Sequence, residues 1–290
     1  MSITMGEPRS AMLSLDADGL RRHAALLRPD TAGRLVTSLS AAAMIAGLIG
    51  SLAYLGFSFT AIFVGLQRIG GIVAWMLPPD PQTWDNTRFY FHALGETLGI
   101  AFMGTLGAAL FAFPLSFLAA RNIVPNLIVH ILTRRMFDTI RGVDALIWAL
   151  IWINVVGLGP FAGVLALVTS DFGALGKLFS EAIETADAKP VEGVTSCGGG
   201  TFAGVRFGVI PQLLPVVLGQ LLYFFESNVR SAAVLGIVGA GGIGLPLSEM
   251  IRTDEWQQVS FIIIMMLVTV SVIDLISSRL RLSIIGPAPV

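Results

Sequence analysis

Charged side chains are rare in this chain, and those that fall within or beside apolar stretches are where any chemistry would reside. Glu96 heads a long apolar run, Asp138, Arg141 and Asp144 recur at a spacing of three, Asp171 interrupts an apolar segment, and Glu226, Asn228 and Arg230 fall within five positions. A charge inside hydrocarbon is costly, so each of these is read either as half of a structural ion pair or as part of a polar path. Asp138 and Arg141 can pair on one helix face. Catalytic constellations are missing from the pattern. His23, His92 and His130 are scattered, giving neither a metal cluster nor a nucleophile triad, and Cys197 is the single cysteine, read as a small residue in a turn. The string GALGKL at residues 173–178 has the wrong spacing for a phosphate loop and no Ser or Thr after its lysine, so ATP hydrolysis is not expected in this chain. GAGGIG at residues 239–244 satisfies G-x-G-x-x-G but lacks the βαβ setting that gives the pattern meaning. It is read instead as a close-packed or flexible turn. No catalytic residue, cofactor or metal site is expected.

The elements that must position these residues are set by composition. Hydrophobic residues make up 54% of the 290 and charged residues 13%, against roughly 25% charged in an average soluble domain. Such a chain lacks the polar surface to cover itself in water, and the solvent that fits is a bilayer. The net charge of -1 offers no basic field for nucleic acid. Apolar stretches near the length of about 20 residues that crosses a membrane as a helix lie at 35–57, 92–120, 141–156, 160–180, 207–225 and 260–277. The expected fold is therefore all-α and polytopic, with about six transmembrane helices. The third and fourth spans are joined only by GLGP and must be antiparallel neighbours. The segments 60–77 and 231–247 are glycine-rich or polar-flanked and are left open between spanning, re-entrant and interfacial.

Organisation and orientation follow. Residues 1–34 are polar and arginine-rich, with a short amphipathic helix expected from Asp16 or Asp18; residues 35–88 hold the first span and an outer segment, 89–281 the core, and 282–290 a tail. Placing both termini in the cytoplasm puts Arg9, Arg21, Arg22, Arg28, Arg34, Arg121, Arg134, Arg135, Arg141, Lys177, Lys189, Arg206, Arg279 and Arg281 inside. Only Arg68, Arg88, Arg230 and Arg252 are left outside, which is the asymmetry expected of cytoplasmic loops. The longest polar segment between late spans, residues 181–206, then faces the cytosol. Pro190 is placed to start a stubby helix there, Glu192 to favour its first turn, and residues 198–200 to end it.

This loop resembles that of the permease subunits of bacterial ABC importers, whose pattern begins Glu-Ala-Ala, continues with a glycine and ends Ile-x-Leu-Pro. Glu192, Gly193 and Val194 stand at the triplet, Gly198 at the glycine, and Gly208, Ile210 and Pro211 at the ending; the acid, the glycine and the proline match in type, whereas Gly193, Val194 and Gly208 depart. The stretches VGLGPFAGVLAL, GKLFSEAIE, GVIPQLLP and ESNVRSAAVLGIVGAGGIG extend the likeness to the phosphonate-type permeases over about residues 96–281. The resemblance implies a type I importer permease of the bacterial inner membrane, a second copy of this chain, two cytoplasmic ATPase subunits that bind ATP and Mg, and an external binding protein. It implies that Pro190, Glu192, Gly193, Val194, Gly198, Gly199 and Pro211 couple to the ATPase. An oxyanion route favours Arg and Asn, placing Asn228 and Arg230 first, with Glu226, Asp171 and Arg141 beside them. A secondary transporter or channel for a small anion is the rival function.

Overall fold

The computed structural model describes residues 31–285, and among them every regular element is helical. The amphipathic helix expected near Asp16 lies outside the described residues. The helices are α1 Thr31–Tyr54, α2 Phe59–Trp75, α3 Trp84–Ala119, α4 Leu127–Arg141, α5 Ala145–Val156, α6 Pro160–Glu184, α7 Ala188–Ser196, α8 Thr201–Ile237, α9 Gly244–Arg252 and α10 Trp256–Ile285. The chain divides at Gly70 into two units. In the first, α1 exposes apolar side chains along its length, Leu39 and Ile49 among them.

The second unit holds the core. Polar caps set its helix starts: Thr83 accepts a hydrogen bond from the Asn86 amide at 3.2 Å, Asn126 from Ile128 at 3.0 Å, and Asp144 from Leu146 at 2.9 Å. Each satisfies an amide that the first helical turn leaves without a partner. Gly157, at φ +93°, ends α5, and Pro160 opens α6. The GLGP connection folds α5 and α6 into neighbours as expected, and the Trp152 indole donates to Thr169 Oγ1 across the pair at 3.0 Å.

Helix spans differ from the expected ones in two places, and the two segments left open are settled. The 141–156 segment is broken: α4 and α5 meet at 87°, and α5 has only 12 residues, about 18 Å of helix against roughly 30 Å of hydrocarbon. Apolar length alone could not reveal the break, because the Asp144 cap and Gly142 that cause it sit at the polar edge of the run. α8 runs on past 225 to Ile237, so the first part of 231–247 is its final turns. The rest is a turn followed by α9, and 60–77 is the helix α2. Among the described residues five helices are long and apolar enough to span a membrane, or six if the bent α4–α5 pair counts as one span.

Small residues allow close helix contacts, since in lipid packing rather than hydrophobic burial drives association. A Cβ at Gly104 would come 2.6 Å from Leu167 Cβ, one at Gly107 2.7 Å from Val168, and one at Gly176 2.4 Å from the Phe137 ring. α6 is thus wedged between α3 and α4. Replacing Gly176 by leucine should overpack this contact at a cost of about 1–3 kcal/mol. Thermal unfolding of the detergent-solubilised chain should show a lower midpoint, while Gly65→Leu, where nothing lies within 4 Å, should leave it unchanged.

Candidate functional site

The stubby helix expected in the 181–206 loop is α7. Its start is set by Asp187, whose side chain accepts from the Lys189 amide at 3.1 Å, so Pro190 is the third helical residue and not the first. A carboxylate cap defines the start because it satisfies a free amide, whereas proline is merely compatible with the first turn. The helix closes where residues 198–200 were expected to end it. Gly198, at φ +84°, donates to Thr195 O at 2.9 Å, and the Gly199 amide reaches Val194 O at 3.0 Å, the paired closure around a left-handed residue described for many helix ends. A Cβ at Gly199 would lie 2.7 Å from Val194 Cγ1.

α7 turns Val191 and Val194 toward the protein and leaves Pro190, Glu192 and Gly193 exposed. Val191 lies on a π-helical stretch of α8, Gly204–Val209. A Cβ at Gly208 would meet Val191 Cγ2 at 2.8 Å and its Cα at 3.0 Å, and one at Gly204 would meet Val191 Cγ1 at 3.3 Å. The departure from isoleucine at Gly208 therefore has a physical reason: the backbone of α7 occupies the space a side chain would need. Gln212 completes the attachment. Its Oε1 accepts from the Asp187 amide at 3.0 Å, and its Nε2 donates to Asp187 O at 3.1 Å and Gly208 O at 2.7 Å. Pro211 follows the π stretch, where its missing N–H suits an interrupted ladder. Beside this assembly, Glu184 accepts from the Arg121 amide at 2.9 Å and pairs with Arg134 at 2.7 Å. The buried His130 accepts from Arg121 Nε at 2.9 Å.

Farther along α8 a cavity of about 260 Å³ opens between the α4–α5 junction, α6 and α8. Arg141 and Asp144 enter it from the junction, Asp171 and Ser170 from α6, and Asn228, Ser227 and Ser231 from α8. Asp171 and Asn228 are buried, at 8% and 4% exposure. The Asn228 amide donates to Asp171 Oδ2 and, at 2.9 Å, to Thr105 Oγ1 on α3. Gly173 brings Arg141 in, because a Cβ there would stand 2.8 Å from the Arg141 amide nitrogen.

Three of the five path candidates, Arg141, Asp171 and Asn228, therefore share one cavity. Glu226 and Arg230 do not line it. They pair with each other at 3.2 Å, and Glu226 also pairs with Arg281 at 3.3 Å. The two pairs bring Arg230 and Arg281 to one carboxylate, whereas the sequence reading set them on opposite sides of the membrane, with Arg281 inside and Arg230 outside. Because α8 continues to Ile237, Glu226, Asn228 and Arg230 lie within the helix and not at the end of a span. Asp138 binds Lys177 at 2.7 Å and Arg135 at 3.8 Å; Arg141 acts on it only at longer range and lines the cavity. The seryl groups, Thr105 and Gln212 were not singled out from sequence. A helical spacing was available for part of them, because 224, 227, 228 and 231 share one face.

The GAGGIG string forms a tightly packed turn. A Cβ at Gly241 would lie 2.7 Å from the Pro160 backbone and one at Gly242 2.6 Å from Thr97 Oγ1. Glu96 accepts from the Gly242 amide at 3.3 Å and Thr97 from that of Ile243 at 2.8 Å, which satisfies the start of α9. Among the described residues no group of three or more His, Cys, Asp or Glu is placed to hold a metal ion.

Comparison with known proteins places this architecture. The chain is 39% identical over 223 residues, 77% of its length and 78% of the relative's, to HtxC of Stutzerimonas stutzeri, which is assigned to a phosphite transport system. It is 35% identical over 222 residues, 77% of its length and 80% of the relative's, to the phosphite transport system permease protein PtxC of the same organism. It is 35% identical over 229 residues to the phosphate-import permease protein PhnE of Mycolicibacterium smegmatis, covering 79% of this chain and 42% of that one. An inward-facing structure of the MetNI methionine ABC transporter shares the fold at TM-score 0.62 and 16% identity, over 70% of this chain and 99% of that one. Residues 112–284 match the family of binding-protein-dependent transport system inner membrane components, and the chain, an all-α membrane permease, belongs to that family.

Proposed function

We propose that this permease carries phosphonate or a related phosphorus oxyanion inward along a path that includes the α4–α6–α8 cavity, driven by ATPase subunits that dock on α7. As a permease component the chain is not itself the ATPase, and ATP and Mg belong to the partner chains. The observation that carries the reading is that one helix, α8, touches both places. Its π stretch holds Val191 of α7, and its Ser227–Asn228–Ser231 face lines the cavity. The two are about 20 residues apart, or roughly 30 Å of helix. A displacement of α7 is thus passed to the cavity by a continuous rigid element, which alternating access requires.

The substrate class rests on the named relatives, which handle phosphite and phosphate, and on the chemistry of the cavity, where Arg141, Asn228 and three serines offer donors to a tetrahedral oxyanion. Two further features support the assembly. The exposed face of α7, with Pro190, Glu192 and Gly193, is free for a cytoplasmic partner. Glu226, Arg230 and Arg281 form a charged face on otherwise apolar helices, with the Arg230 side chain 51% exposed, and a second copy of this chain would shield it from lipid. An extracytoplasmic binding protein would deliver substrate in a bacterial inner membrane with both termini cytoplasmic.

The reading is tested by co-expressing the chain with its neighbouring ATPase and binding-protein genes and measuring ATP hydrolysis and uptake in liposomes with phosphonate, phosphite and phosphate in turn. Stimulation only in the full assembly supports it; uptake by this chain alone, driven by an ion gradient, would establish the rival secondary transporter.

Position 198 gives a sharper probe. Gly198 has open space but a positive φ, so valine there costs roughly 1–2 kcal/mol of local strain while asparagine is tolerated. Gly198→Val should lower substrate-stimulated hydrolysis several-fold at unchanged expression, and Gly198→Asn should retain it. Gln212→Ala removes the side chain that holds the start of α7. It should leave basal hydrolysis in place while cutting uptake per ATP, read as the ratio of transported anion to released phosphate in a phosphonate assay.

A further inference from the structure

Resting on the cavity as part of the oxyanion path, a second observation concerns what the cavity demands of its ligand. Asp171 is a buried carboxylate in a route for anions, which would be repulsive unless it had a task. Its Oδ2 is occupied by the Asn228 amide, and no hydrogen bond to Oδ1 comes from the described residues. Asn228 has spent both amide hydrogens, one on Asp171 and one on Thr105 Oγ1, whose own hydrogen goes to Ala101 O at 2.8 Å. The carboxylate is therefore held in one orientation, with an acceptor left over in a cavity it lines. Arg141 lines the same cavity; among the described residues no carboxylate lies within ion-pair distance of it, and its charge acts on Asp138 only at longer range. Asp144 also faces it but already caps α5 through the Leu146 amide at 2.9 Å. The unspent groups are thus one guanidinium, which can only donate, and one fixed carboxylate oxygen, which can only accept.

We propose that Asp171 is a specificity-determining residue: it accepts a hydrogen bond from the P–OH of the passing oxyanion while Arg141 holds an unprotonated oxygen, so the cavity admits phosphorus oxyanions that carry a proton and rejects sulfate. Phosphate-type groups have their second ionisation near pH 6 (about 6 for phosphate esters), so a protonated fraction persists at neutrality. Sulfate has the same tetrahedral outline but no proton to offer, and it meets Asp171 as charge against charge. Sites built to bond a ligand hydroxyl reject analogues that lack it strongly, because the buried partner is left unpaired.

The test is equilibrium binding of radiolabelled phosphate and radiolabelled sulfate to the purified full-length chain in nanodiscs, without a binding protein whose own selectivity would mask the cavity's. Wild-type chain should hold phosphate at least about tenfold more tightly than sulfate. Asp171→Asn keeps the shape and the bond from Asn228 but offers an N–H to the anion, so sulfate should gain and the ratio should fall to near one. Equal binding of both anions by the wild type, or an unchanged ratio in Asp171→Asn, overturns the role of Asp171 while the cavity survives, provided that Arg141→Gln weakens both. Failure of the wild type to bind either anion removes the cavity as a ligand site, and the selectivity with it.

Discussion

The contact of Val191 with Gly204 and Gly208 is the constraint on which the rest of the architecture depends. A loop helix of nine residues has no stability of its own in water, and it is held only because α8 offers a surface without side chains on which the helix can rest. The π-helical stretch and the two glycines bring the backbones together, and Gln212 then ties the start of α7 to the same turn of α8. From that turn the helix runs to the cavity. Close packing leaves the loop little freedom to flex at this point.

The cavity shows how polar groups are tolerated inside an apolar bundle. Asp171 and Asn228 are buried, yet each is bonded, and Thr105 anchors them to α3. The same cluster links three helices, α3, α6 and α8, and lines the cavity at once. Glu226, Arg230 and Arg281 answer the same problem differently, with one carboxylate shared between two guanidinium groups on an outer face. Both arrangements follow from the cost of an unpaired charge in low dielectric. The α8 polar residues therefore divide by helix face: Glu226 and Arg230 form ion pairs, while Ser227, Asn228 and Ser231 line the cavity, a distinction of 100° per residue that linear proximity hides.

Breaks in helices carry as much of the design as the helices do. Asp144 and Gly142 bend α4 against α5 and turn Arg141 toward α6, and the GAGGIG turn lets α9 fold back against Thr97 and Glu96. Irregular backbone of this kind persists in a membrane protein where it is covered by protein or lines a polar space.

Much of this was determined by the sequence alone. Composition decided the solvent, apolar length decided the number of spans to within one, and the glycines at 198 and 199 decided where α7 ends, because these depend on properties of single residues or of contiguous segments. The loop pattern and its flanking stretches were enough to place the family. Tertiary structure alone decided which charges meet. Asp138 chose Lys177, 39 positions away, over Arg141 three positions away; Arg281 reached Glu226 on another helix; and Asp171 found Asn228. A pairing of this sort is fixed by the rotation and tilt of packed helices, which are set by where small residues such as Gly173 and Gly208 permit approach. No local property of a sequence records that rotation, since every helical face is equally available until a neighbour covers it.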